Sequence, residues 1–221
     1  VKRGVFAGVA IAGLTAANPA AASEAWQKAF SQAAAAEKSV HFEARYIDAN
    51  GSEHHQQVWR EGSRRLRRVS DDRVDLSVEK DANGEYQYRL ADRARHVLVR
   101  ADRNSLYRAG IFSDWDGLAH GLSEPRASHQ IASSGATEQT QLGPCSWVEL
   151  TIMEPAATTA RICWSSEWAL PLSIQMKHGD QWASDFAITA ARRIEPSDAL
   201  FQIEAAGYVE IDARAGDDLA D

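Results

Sequence analysis

Four arginines crowd around Leu66: Arg64, Arg65, Arg67 and Arg68. Guanidinium groups grip carboxylates and phosphates through paired donors, so the chemistry on offer is docking of acidic lipid head groups or of a partner's carboxylates. Side chains alternate along a strand, which sends these arginines to both of its faces. With Asp71, Asp72 and Glu79 close by, the expectation is a solvated strand whose charges are paired with neighbouring acids. His54 and His55 are adjacent, point to opposite faces of a strand and cannot share a metal ion. His41, His96, His120, His129 and His178 lack ligand spacing and read as lone surface histidines. No Gly-x-Ser-x-Gly elbow, phosphate-binding glycine loop or His-Glu-x-x-His helix occurs. The residues therefore predict a non-enzymatic protein with no catalytic residue, no metal site and no cofactor.

The two cysteines, Cys145 and Cys163, lie in neighbouring predicted strands joined by a turn-like stretch from Glu154 to Thr159. Their spacing is not that of a Cys-x-x-Cys motif, and no histidine sits at ligand distance. A disulfide stapling a hairpin is the expectation, worth about 3 kcal/mol in the chain-entropy model. An oxidising compartment agrees with the first 22 residues. Lys2 and Arg3 precede an apolar run from Val5 to Leu14, too short to span a bilayer, and Ala20-Ala21-Ala22 stands before Ser23. That pattern predicts a signal peptide over 1–22, cleaved near Ala22, and a periplasmic location. The formal charge of −7 becomes −9 without Lys2 and Arg3, which argues against a nucleic-acid partner.

The elements that must position these groups are mostly strands. Ser23 to Lys38 carries Trp26, Phe30 and Ala34 at four-residue steps and predicts one amphipathic helix capped by Ser23. From Val40 the period changes to two, and a meander of half-buried strands runs to Asp102, punctuated by Asn50-Gly51, Gly62, Asp71-Asp72 and Asn83-Gly84. Arg103 to Leu122 returns to helical spacing, with a break at Gly110 and a new cap at Ser113, predicting two short helices. Strands then resume at about 128–133, 145–152, 160–164, 171–177 and 182–194. A short element at 196–201, a last strand and an acidic tail over 212–221 follow. The fold class expected is mainly β: a curled antiparallel sheet, an incomplete barrel, with an N-terminal helix and a helical insertion packed in its mouth.

The inward residues of such a sheet would line a concavity, and the ligand-binding set predicted from them is Phe42, Tyr46, Trp59, Leu66, Leu76, Trp115, Leu118, Trp147 and Leu172. Leu90 and Val99 belong to the same inward series. A cavity of this kind suits acyl chains, since each buried methylene is worth about 0.8 kcal/mol without directional contacts. The same alternation also describes a filled core. Trp115, in the helical insertion, reads equally as part of a lid or as a plug.

Three stretches carry a resemblance: the Ala-rich helix followed by Ser39-Val40-His41-Phe42-Glu43-Ala44, then Trp168-Ala169-Leu170-Pro171-Leu172-Ser173-Ile174, then Asp198 to Ile203 with Gly207-Tyr208-Val209. They resemble the outer-membrane lipoprotein carrier (LolA-like) superfamily, which includes the RseB-type lipid-binding domain. The resemblance covers most of 23–210 and implies a lipid-binding domain over 23–211, ending in a hairpin. It implies an incomplete antiparallel barrel with helices in its mouth, binding lipid or lipoprotein acyl groups. The implied function is a periplasmic carrier that shields acyl chains in transit, with lipid or an acylated protein and an inner- or outer-membrane protein as partners. The alternative is an RseB-like sensor controlling a membrane partner. The cysteine pair and the stretch Asp102 to Tyr107 depart from the carrier pattern.

Overall fold

A computed structural model describes residues 19–30, 38–109 and 114–214. Most of the predicted signal peptide, residues 31–37 of the predicted first helix, the Gly110 and Ser113 positions and most of the predicted tail lie outside them. Among the described residues, twelve strands form one open sheet in the order β12-β6-β5-β4-β3-β2-β1-β11-β10-β9-β8-β7. The first half is a meander of β1 (Ser39–Ile47), β2 (Glu53–Glu61), β3 (Arg65–Ser70), β4 (Val74–Lys80), β5 (Tyr86–Asp92) and β6 (Val97–Asp102). Two short helices, α2 (Arg103–Arg108) and α3 (Trp115–His120), then interrupt the strands as expected. The second half is β7 (His129–Thr140), β8 (Gly143–Ile152), β9 (Thr158–Ser165), β10 (Leu170–His178) and β11 (Gln181–Arg193). β11 returns to pair with β1 and joins the halves.

Local sequence accounts for the turns. Asp71 and Asp72 both adopt left-handed φ, near 50°, between β3 and β4, a conformation that Asp tolerates better than most residues. Asp102 caps α2 by accepting from the Ser105 amide, and the Ser105 hydroxyl completes the reciprocal box. Asp114, rather than the predicted Ser113, caps α3.

Two readings of the chain's end change. Among the described residues no final hairpin forms: β12 (Val209–Asp212) pairs with β6 in parallel. Residues 194–208, including α4 (Asp198–Phe201), cross the outer face of the first half to reach that edge. Phe201 and Ile203 are buried there. At the other end, α1 (Pro19–Phe30) already includes Ala20 to Ala22, so Ser23 lies within the helix instead of capping it.

The sheet has an inner and an outer face, fixed by cross-strand register. Val40, Phe42 and Ala44 of β1 oppose Arg60, Val58 and Gln56 of β2. These in turn oppose Leu66, Arg68 and Ser70 of β3 on the inner face. Against that face lie α1, through Trp26 and Phe30 on Val148, Leu150, Ile162 and Trp164, and α3, through Leu118 and Ala119 on Leu66, Leu76, Val78 and Tyr88. The His120 ring is also 6.2 Å from that of Trp164 in β9. A flat sheet would separate β5 from β9 by roughly 34 Å, whereas a six-residue helix is about 9 Å long. The sheet therefore curves around its helices.

Candidate ligand-binding groove

Between the inner face of β3–β6 and the helices α2 and α3 runs a groove of about 270 Å³, approaching the size of small-molecule sites. Its floor is Leu76, Tyr88, Leu90, Val99 and Ala101, and its roof is Leu106 of α2 and Leu118 of α3. The floor follows from the pleat: Leu76 opposes Leu90, and Leu90 opposes Val99, so one row of apolar side chains crosses three strands. Arg68 opposes Leu76 and extends that row onto β3.

The roof is held by identifiable contacts. Trp115 stacks on Tyr86 of β5 with ring centroids 4.9 Å apart. Asp114 accepts from the Gly117 amide and the Ser123 hydroxyl, both at 2.7 Å. Arg60, 1% exposed, donates to the carbonyls of Ala119 in α3 and Trp168 in the turn before β10, at 3.2 and 3.3 Å. Burial pushes its guanidinium down to about 10, with Arg193 adding repulsion. Gly121 ends α3 with φ of 71°, and a Cβ there would meet the Phe186 ring at 3.3 Å. Burial likewise lowers His120, against the opposing effect of Asp116.

The predicted binding residues fall in different places. Leu76 and Leu118 line the groove, and Leu66 and Trp115 belong to the cluster behind it. Phe42, Tyr46 and Leu172 lie in or against a second cluster at the seam of β1, β11 and β10. Trp59 lies on the opposite face, its ring 4.8 Å from His41 with the Arg67 guanidinium 5.7 Å away, because Val58 and Arg60 take the inner positions of β2. Trp147 opposes Cys163, donates to Glu138 and carries Arg161 over its ring at 4.7 Å. It borders, with the predicted Leu172, a separate hollow of about 400 Å³ that Leu142 and Ile188 line together with Glu138, Thr140, Gln141 and Gln175. A smaller hollow of about 120 Å³ lies between α1 and α3.

Sequence reasoning left Tyr88, Ala101, Leu106 and Arg68 out of the set. The first two are two residues from Leu90 and Val99 on the same alternation. Arg68 is two residues from Leu66 in the same way. The expectation that the arginine run is a solvated face is overturned for three of its members. Arg65, 6% exposed, pairs with Glu61 and Asp198 and stacks over Phe201. Arg67 forms a fork on buried Asp75, which Arg93 also reaches. Arg68 enters the groove. His41, His120 and His129 are buried, not at the surface as expected. The Cys145–Cys163 disulfide forms as expected, with Cα atoms 5.3 Å apart.

No family model and no curated protein matches this chain. Solved structures do. An uncharacterized conserved protein from Thermus thermophilus is 9% identical, covers 87% of this chain and 99% of its own, and superposes with a TM-score of 0.54, which marks a shared fold. Others include MucB from the Pseudomonas aeruginosa MucA/MucB complex, 15% identical over 84% of this chain and 62% of that one, TM-score 0.44. A LolA superfamily protein from Nitrosomonas europaea is 11% identical over 80% of this chain and 97% of that one, TM-score 0.29. This chain thus spans less than two thirds of that MucB chain. The superfamily named from the sequence is represented among its structural neighbours.

Proposed function

We propose that this protein is a periplasmic carrier that takes an acyl chain of a lipid or lipoprotein into the groove under α2 and α3 and shields it from water. The observation that supports this reading is the row Leu76, Leu90 and Val99, roofed by Leu106 and Leu118, with space of about 270 Å³ left between floor and roof. Burying six methylenes there is worth about 5 kcal/mol at 0.8 kcal/mol each, enough for reversible retention without chemistry. The disulfide agrees with an oxidising compartment. The sequence resemblance to lipoprotein carriers points the same way.

The test is native mass spectrometry of protein purified gently from periplasm, followed by solvent extraction. A discrete added mass that extracts as phospholipid, fatty acid or acylated peptide is expected. An apo mass unchanged after incubation with lipids and lipopeptides overturns the reading. A second reading, a sensor that grips a membrane-anchored partner, draws on one feature: the edge strand β12 leaves Val209 and Ile211 64% and 49% exposed. Open edges of this kind accept an added strand. Release of a bound protein upon lipid addition would favour the sensor over the carrier.

A further inference from the structure

Among the described residues, Arg68 is the one charged side chain lining the groove. Its three neighbours in the arginine run each hold an acid: Arg64 and Arg65 share Glu61, and Arg67 has Asp75. Among the described residues no carboxylate pairs with Arg68. The side chains opposite it are Val58 on β2 and Leu76 on β4, both apolar. Of the acids nearest in sequence, Asp71 pairs with His54 and Asp75 with Arg67 and Arg93, while Asp72 stands exposed in the β3–β4 turn. Burial lowers the Arg68 guanidinium, with only Tyr46 opposing. A half-buried cation without a counter-charge is costly, and a ligand that supplies the charge recovers that cost on binding.

Geometry says where such a ligand lies. Arg68, Leu76, Leu90 and Val99 are consecutive register partners on β3, β4, β5 and β6. The row runs across three inter-strand steps, about 14 Å. It begins at a fork of donors and continues over apolar side chains only. We infer that the groove selects single-chain anionic amphiphiles, with a carboxylate or phosphate head on Arg68 and the alkyl chain laid across Leu76, Leu90 and Val99 beneath Leu118. This rests on the acyl-chain reading and adds that a negative head group, not the chain alone, determines what enters.

The experiment is displacement of a neutral fluorescent probe, N-phenyl-1-naphthylamine, from the full chain by palmitate, hexadecyl phosphate and hexadecanol, which share one chain length. At least one anion is expected to bind about tenfold or more tighter than hexadecanol, the worth of a charge-assisted hydrogen bond. Whichever anion holds the preference identifies the head group. In Arg68→Met the gap closes because the anions weaken by about tenfold or more and hexadecanol by less, and Arg68→Lys restores part of it. Equal affinities for anion and alcohol in the unaltered protein, or a gap that survives Arg68→Met, overturn the inference while leaving the groove reading intact. If neither the probe nor any of the three binds, the groove reading fails and this inference with it. If Arg68→Met does not fold, the three-ligand comparison on the unaltered protein decides alone.

Discussion

His54 stands between two carboxylates, with Nδ1 2.6 Å from Asp71 and Nε2 3.3 Å from Asp48, and its ring stacks on Tyr46. The hydrogen bond to Asp71, then that to Asp48, raises its pKa above 6.5. Asp71 is lowered, first by the His55 amide and then by His54. The sign follows: the histidine's contribution to stability is complete below pH 6.5 and is lost as pH rises through the raised folded value. The aspartates contribute above about pH 3.8 and lose their share as pH falls. Because the group is exposed, salt screens it. A proton NMR titration is expected to give His54 a midpoint above 6.5 that falls in Asp71→Asn, and an unchanged midpoint in that variant would assign the shift elsewhere. At this scale the sequence hid what mattered. A pair of adjacent histidines excludes a shared metal, but the partners of His54 come from the β1–β2 and β3–β4 turns, and only strand pairing brings them together.

Helix α3 depends on its ends. Gly121 carries a left-handed φ and touches Phe186, so Gly121→Ala meets both a backbone penalty of about 1 kcal/mol and a ring that must shift. Hydrogen exchange of residues 115–120 is expected to accelerate in that variant while β1–β4 keep their protection. Uniform acceleration would mean that α3 is integral to the global core rather than a separable roof. The β8–β9 hairpin rests on its disulfide. Cys145→Ala with Cys163→Ala is expected to lower urea stability by about 3 kcal/mol, and a change under about 1 kcal/mol would show that strand pairing alone suffices. Most elements were legible because the chain changes period where the structure changes type. β7 was read as ending at Ser133 but runs to Thr140. Its second half, Ser134 to Thr140, has no apolar face to signal a strand, because it is an exposed edge with a bulge between Ser133 and Thr137. Trp59 and Trp147 stand away from the groove under α2 and α3: Val58 and Arg60 hold the inner positions of β2, and Trp147 borders the separate hollow.

Across the molecule, the C-terminal crossing works as a strap. Phe201 is buried under the Arg65 guanidinium, its carbonyl accepts from Ser77, and Ile203 packs on Ala91 and Leu98. Phe201→Ala is expected to lose about 3–5 kcal/mol in denaturant unfolding. A loss under about 1 kcal/mol would mean that the outer face holds without the strap. This crossing was the least legible part of the fold. A short helix and a final strand were expected, but a parallel partner far back in the chain leaves no local signature. Val40 on β1 pairs with Arg193 on β11, most of the chain later. During synthesis the β1–β6 meander therefore exists for some time with one edge of β1 bare and its apolar face roofless on the β11 side. Completion waits for a contact of high order, which slows folding and lengthens the interval in which a nascent copy is prone to aggregation.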